Sequence, residues 1–94
     1  MKKKIINHKD LEKKLQNLKA KNKKIGLCHG VFDLIHLGHI KHFEEAKQNC
    51  QILIVSVTSD KFVFKGPGRP KFSERQRIEV ISSLEVVDYV IISN

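Results

Sequence analysis

The sequence predicts an α/β fold in which parallel strands alternate with helices. The run 51–57 is apolar and almost continuously β-branched, which is typical of a central strand that is covered on both faces. Shorter apolar runs at 25–29 and 86–92 predict two further strands, and we expect the strand at 25–29 to be buried on both faces. The segments between the three runs carry apolar residues at helical spacing. The order β-α-β-α-β predicts a Rossmann-like doubly wound parallel sheet. We expect this sheet to be truncated after its third strand.

The first predicted element is an amphipathic helix over residues 8–22. Three leucines at spacings of four and three give it one apolar stripe, and Asp10 is the candidate N-cap. The chain has a net charge of +8, and residues 1–24 supply all of it, with ten lysines against two acidic residues. The sequence therefore divides into a basic amphipathic helix over residues 1–23 and a nearly neutral domain over residues 24–94.

The basic N-terminal part does not predict a nucleic-acid partner. A nucleic-acid interface needs a basic stripe with side chains that read or stack on bases, and no aromatic residue precedes Phe32. The opening MKKKII has an apolar run of two residues, which is too short for a signal peptide or a membrane span. Cys28 and Cys50 lie in or beside apolar runs without the spacing of a zinc site. We expect a cytoplasmic protein with reduced cysteines and no membrane partner.

The candidate site lies between the first strand and the next helix, which is predicted over residues 38–49. In this turn His36 and His39 bracket Gly38. The amides that open a helix lack partners within it and attract phosphate oxygens, and Gly30, without a Cβ, lets the backbone approach a ligand closely. Two imidazoles beside such amides can donate N–H groups to a phosphoryl group and stabilise its charge during transfer. The pattern therefore predicts a phosphate-binding turn.

The remaining elements place polar residues near the same edge of the sheet. Asp60 follows the second strand, and ligands of open parallel sheets bind at the carboxyl ends of strands, although Asp60 also fits a helix or turn cap. Residues 61–72 form a basic loop with two glycines and two prolines, which rules out regular structure there. A helix over 73–84 follows, with Ser73 as the candidate N-cap and Arg77 in its first turns.

The turn resembles the signature of a known family. Residues 30–39 read GVFDLIHLGH and match every fixed position of G-x-F-D-x-x-H-x-G-H, the pattern of the cytidylyltransferase-like nucleotidyltransferases. Similar members are glycerol-3-phosphate cytidylyltransferase and the heptose-phosphate nucleotidyltransferases, and the resemblance extends over residues 24–92. It implies transfer of CMP or AMP from CTP or ATP to a sugar phosphate or polyol phosphate, with Mg²⁺ as the cofactor and pyrophosphate as the leaving group.

The resemblance also assigns roles to residues of this chain. It implies His36, His39 and Lys65 as catalytic residues, with Lys61 as the rival of Lys65 for contacting the nucleotide phosphates. A metal site of His36, His39 and His42 is only weakly indicated, because no carboxylate or cysteine stands at a spacing that would complete it, so no metal ligand is assigned to the protein. The residues implied in nucleotide binding are Gly30, Val31, Phe32, Asp33, Gly38, Asp60 and Arg77.

Three alternatives stay open at this point. The first is adenylyl transfer to a cofactor precursor such as pantetheine phosphate or FMN. The second is a nucleotide-binding module or fragment without turnover, and the third is a basic nucleic-acid binder. A homodimer is compatible with the sequence, which does not fix the oligomeric state.

Overall fold

The computed structural model describes residues 4–63 and 72–93. Its elements are, in order, α1 (His8–Ala20), β1 (Ile25–Gly30), α2 (Leu37–Gln48), β2 (Ile52–Thr58), a 3₁₀ turn (Asp60–Phe62), α3 (Glu74–Ser82) and β3 (Tyr89–Ser93). The described strands pair in the order β1-β2-β3, and both pairings are parallel. The predicted α/β class with a parallel sheet is therefore confirmed.

The main core lies on the face of the sheet that is covered by α2 and α3. Leu53, Val55 and Val57 of β2 alternate with residues of the opposite face and are fully buried. They pack with Phe43 of α2 and Ile81 of α3 in one apolar cluster. The prediction of a central, covered strand from the β-branched run is correct, because both of its edges are paired and both of its faces carry helices.

The second face of the sheet is covered by α1. Leu11 is buried against Ile54 and Ile91 in a smaller apolar cluster. The segment before α1 runs along β3, where Ile5 forms a parallel bridge with Val90. The basic N-terminal helix thus contributes core contacts as well as charge. Within residues 4–63 and 72–93, no helix is both long enough and apolar enough to cross a membrane.

The expectation that β1 is buried on both faces is wrong. Cys28 is buried in the main core, whereas Leu27, on the opposite face, is 67% exposed. β1 lies at one end of the described sheet, and α1 packs over the neighbouring strands and leaves Leu27 uncovered. Burial of an outer strand depends on which element covers its second face. The apolar residues of the strand alone do not predict that element.

Two predicted boundaries also differ. The N-cap of α1 is Asn7, whose side chain accepts a hydrogen bond of 2.8 Å from the backbone N–H of Asp10. Asp10 instead lies in the first turn, where a carboxylate suits the helix dipole. β3 begins at Tyr89 and not at residue 86. Just before it, the side chain of Asp88 accepts the backbone N–H of Leu53 at 2.8 Å, so a carboxylate takes the place of the backbone carbonyl that a strand would offer.

Candidate active site

The signature turn lies where the carboxyl ends of β1 and β2 meet. Gly30, the last residue of β1, pairs in register with Val57 of β2. The hydroxyl of Thr58 donates to the carbonyl of Gly30 at 3.3 Å. The sheet therefore brings the signature turn beside Asp60, which opens the 3₁₀ turn after β2. This is the edge at which the sequence predicts the site.

The two signature histidines cap α2 reciprocally. His36 is the N-cap, and its Nδ1 accepts the backbone N–H of Gly38 at 3.0 Å. The Nδ1 of His39 accepts the backbone N–H of His36 at 3.2 Å. This is a capping box in which imidazoles replace the usual hydroxyl and carboxylate. The amide of Gly38, expected to be open to phosphate, is held by the His36 ring instead.

The capping box fixes the tautomer of both rings. A ring nitrogen that accepts a hydrogen bond carries no proton, so each neutral imidazole carries its proton on Nε2. The ring centroids of His36 and His39 lie 4.1 Å apart. Burial lowers the pKa of His39, and the neighbouring His36 and His42 lower it further. The chain therefore presents two neighbouring rings, and in its Nε2–H form each has one N–H donor that the cap does not use.

Both signature glycines make room for aromatic rings of the turn itself. A Cβ on Gly38 would lie 2.8 Å from Cε1 of His36, which is too close for a real contact. A Cβ on Gly30 would lie 2.9 Å from Cζ of Phe32. The sequence predicts that Gly30 lets a ligand approach the backbone closely. In this structure each of the two glycines admits a ring that shapes the site.

Phe32 supports the ring of His39. Its backbone lies in the left-handed region at a φ of 53°, which costs free energy for a bulky residue. Its ring meets His39 edge to face at a centroid distance of 5.6 Å and Phe43 of the core at 5.3 Å. Phe32 therefore connects the catalytic candidate His39 to the buried part of α2.

Arg77 is buried beneath this edge with only 1% of its surface exposed. Its Nη1 donates to the carbonyls of Val31 at 2.8 Å and Thr58 at 2.7 Å. Its Nε donates to the carbonyl of Phe72 at 3.0 Å, and its Nη2 pairs with Asp60. The sequence does not indicate Val31, Thr58 or Phe72 as partners of Arg77, because these residues bind it through backbone carbonyls, which every residue possesses.

The other predicted site residues divide between described and undescribed segments. Oδ1 of Asp33 accepts the backbone N–H of Phe72 at 2.9 Å and so joins the signature turn to the residue before α3. Lys61 is exposed in the 3₁₀ turn. Lys65 lies outside the described residues. Among residues 4–63 and 72–93, no group of three or more His, Cys, Asp or Glu side chains could hold a metal ion.

A cleft of about 530 Å³ lies between the signature turn and α3. Most of its walls are apolar, and it is also lined by the polar residues Asp33, Gln76, Glu79 and Arg77, the last with a side chain that is only 1% exposed. The apolar walls are formed by Phe32, Leu34, Ile35, Phe72 and Val80. The cleft therefore suits a ligand, or part of one, that is less polar than a phosphate.

Comparison with known proteins decides the family. A profile described as cytidylyltransferase-like matches residues 27–94, which is most of the chain and includes the whole signature turn. The chain belongs to the cytidylyltransferase-like family. The resemblance first indicated by the residues of the signature is thus confirmed.

Relatives of this cytidylyltransferase-like chain include longer proteins. Bifunctional protein HldE of Campylobacter jejuni subsp. doylei is 42% identical over an alignment of 98 residues. This alignment covers 95% of this chain and 21% of that protein. Bifunctional protein HldE of Desulfatibacillum aliphaticivorans is 42% identical over 83 residues, or 86% of this chain and 17% of that protein. The chain thus spans about a fifth of the length of these curated relatives.

A solved structure shares the fold. The crystal structure of the lipopolysaccharide core biosynthesis protein from Thermoplasma volcanium GSS1 matches with a TM-score of 0.71 and 36% identity. The match covers 77% of this chain and 59% of that one. The Rossmann-like assignment of this cytidylyltransferase-like chain is therefore supported by sequence and by structure together.

Proposed function

We propose that this chain is the nucleotide-binding part of a nucleotidyltransferase that acts on a sugar phosphate or polyol phosphate. The donor is CTP or ATP, and the products are a nucleotide-linked sugar or polyol and pyrophosphate. The observation that supports this most strongly is the reciprocal capping box. Within residues 4–63 and 72–93 it leaves the Nε2–H groups of His36 and His39 without a hydrogen-bond partner at the start of α2, in a chain of the cytidylyltransferase-like family.

In the proposed reaction an oxygen of the acceptor phosphate attacks the α-phosphorus of the nucleoside triphosphate. The bond between the α-phosphorus and the bridging oxygen breaks, and that oxygen leaves with pyrophosphate. Negative charge builds on the phosphate oxygens, and preorganised N–H donors stabilise such charge without reorganising. His36 and His39 act in this scheme as neutral hydrogen-bond donors. No covalent intermediate on the protein is required.

Mg²⁺ enters the proposal with the nucleotide. It prefers oxygen ligands, retains several waters and is commonly held by substrate phosphates with one or two carboxylates, so it needs no cage of protein ligands. When bound, the ion would neutralise part of the triphosphate charge.

Lys65 is the proposed contact of the β- and γ-phosphates, with Lys61 as its matched control. Lys65→Ala should weaken triphosphate binding by about 1–3 kcal/mol, the range of a charge-assisted hydrogen bond, and monophosphate binding much less. Calorimetric titration of both variants with both nucleotides measures this. A loss of triphosphate affinity in Lys61→Ala, with Lys65→Ala unaffected, would reverse the assignment.

The experiment that tests the function is pyrophosphate release by the protein with CTP or ATP and a panel of phosphorylated acceptors. The panel contains glycerol 3-phosphate, heptose phosphates, pantetheine phosphate and FMN. Release that requires one nucleotide and a sugar phosphate or polyol phosphate supports the proposal. Nucleotide binding without release from any combination would favour a binding module without turnover.

A second candidate, adenylyl transfer to a cofactor precursor, is favoured by the cleft beside the signature turn. Its walls carry Phe32, Phe72 and Val80, which suit a flavin or a pantetheine arm better than a polyhydroxylated sugar. The KGPGRP sequence of residues 65–70 resembles the heptose-phosphate enzymes and argues for the first candidate. The acceptor panel separates the two. In either case we propose that the protein works in the cytoplasm, where the nucleotides are.

A further inference from the structure

Arg77 connects three separate segments at the carboxyl edge of the sheet. Its guanidinium donates to the turn after β1 through Val31, to the end of β2 through Thr58 and to the residue before α3 through Phe72. The same group pairs with the Asp60 side chain, which is 43% exposed, whereas the Arg77 side chain is 1% exposed. The charged end of Arg77 is therefore fully enclosed by these protein partners.

Only arginine can make this set of contacts. The guanidinium is planar and presents five N–H donors in a fixed fork, and four of them are used by the carbonyls and the carboxylate named above. A lysine at this position would keep the charge but would offer a single point from which to donate. Removing the group would leave three carbonyls without their donor and would unpair Asp60.

We propose that Arg77 is a positioning residue, which holds the signature turn against the end of β2 in the geometry that the transfer reaction needs. The inference rests on the proposed function. The carbonyl of Val31 lies one residue before Phe32, whose ring contacts His39, so the position of Arg77 is transmitted to the catalytic candidate through two adjacent residues. Arg77 thus acts on the reaction without touching the nucleotide.

The test compares Arg77→Lys with Arg75→Lys, a matched control two residues away on the same helix whose side chain is 85% exposed. We expect Arg77→Lys to lower kcat by about 10²-fold, the cost of a small misplacement of reacting groups, while the Kd for the triphosphate changes far less. Arg75→Lys should leave both unchanged. Arg77→Ala should regain part of its kcat when guanidinium is added at millimolar concentration, and sodium chloride at equal ionic strength should not restore it.

A second readout does not depend on turnover. Amide signals of Val31 and ring ¹⁵N signals of His39, recorded without nucleotide, should shift in Arg77→Lys and stay in place in Arg75→Lys. If the wild-type protein releases no pyrophosphate, the proposed function fails, while these signals still decide whether Arg77 positions the turn. Asp60→Asn keeps the guanidinium of Arg77 and its contacts with the three carbonyls, so it should give smaller shifts of the same signals. If Arg77→Lys does not fold, Asp60→Asn is used in its place.

Two results would overturn the inference. In one, Arg77→Lys loses triphosphate affinity while the Val31 and His39 signals stay in place, which would make Arg77 a direct nucleotide contact. In the other, Arg77→Lys lowers only the melting temperature and keeps kcat and both sets of signals. That outcome would limit Arg77 to a role in stability.

Discussion

Replacing His36 with asparagine separates the two functions that this histidine combines. Its Nδ1 caps α2 by accepting the N–H of Gly38, and its Nε2–H is the proposed donor to the phosphate. Asparagine is among the best N-cap residues, because its side-chain oxygen accepts from the same amides. It has no donor where Nε2 stands. His36→Asn should therefore retain the helix cap and lose the chemistry.

The expected magnitudes differ between stability and rate. Loss of a capping side chain costs about 0.5–2 kcal/mol, so His36→Ala should lower the free energy of unfolding by that amount and His36→Asn by a few tenths of a kcal/mol at most. Loss of one preorganised donor to a developing anion costs about 10²–10³-fold in kcat, so both variants should be slowed to that extent. In the bond from the N–H of residue 36 to the Nδ1 of His39, residue 36 contributes only its backbone N–H, so both variants keep this bond.

The assay pairs urea unfolding with pyrophosphate release for the wild type, His36→Ala and His36→Asn. If His36→Asn is as unstable as His36→Ala, the ring is not the cap in solution. If His36→Asn is stable and turns over at the wild-type rate, the Nε2–H has no part in catalysis. A stable and slow His36→Asn is the only result that agrees with both roles.

Three further predictions concern stability. Burial and the neighbouring histidines lower the pKa of His39 in the folded state, so the unfolded chain takes up more protons below about pH 6.5. The free energy of unfolding from urea titrations should therefore fall as the pH drops below that value. The dependence on pH should be shallower in His39→Gln. Ser59→Ala should leave the free energy of unfolding unchanged or raise it, because the buried Ser59 hydroxyl has no hydrogen-bond partner in the described part of the chain. Ser82→Ala should lower the free energy of unfolding by about 1 kcal/mol, because the Ser82 hydroxyl donates to the carbonyl of Glu79. Leu11→Ala should cost about 2–5 kcal/mol in the same titrations, and a cost near zero would show that α1 does not pack on the sheet in solution.

Elements that depend on local pattern could be predicted from the sequence. The β-branched run of β2 specifies a central strand whatever lies beyond it, and Ser73 caps α3 through a capping box with Gln76, as a serine before a helical pattern predicts. Leu27 could not be predicted, because its exposure depends on which strands α1 covers. β3 starts later than the apolar run predicts, because the carboxylate of Asp88 accepts the backbone N–H of Leu53 in place of a backbone carbonyl.

The candidate site divides in the same way. The order strand, glycine turn, histidines and helix predicts that His36 and His39 meet at the edge of the sheet, and the structure places their rings together. The sequence does not reveal that each ring is also a cap, since histidine is not a usual N-cap residue. Nor does it reveal that Arg77 is enclosed, because the groups enclosing it are mostly carbonyls that every residue possesses.

The use of two different nitrogens explains how the signature histidines can serve structure and chemistry together. An exposed histidine could place its proton on either nitrogen, so a free ring would be a donor at Nε2 only part of the time. Here the Nδ1 atoms of His36 and His39 accept backbone N–H groups, which favours the Nε2–H tautomer in both rings before any ligand arrives. Protonation of His39 on Nδ1 would place an N–H against the amide of His36, and the pKa of His39 is lowered by burial and by the neighbouring His36 and His42. The helix cap therefore prepares the two donors in advance, and the free energy of ordering them is supplied by folding and not by nucleotide binding.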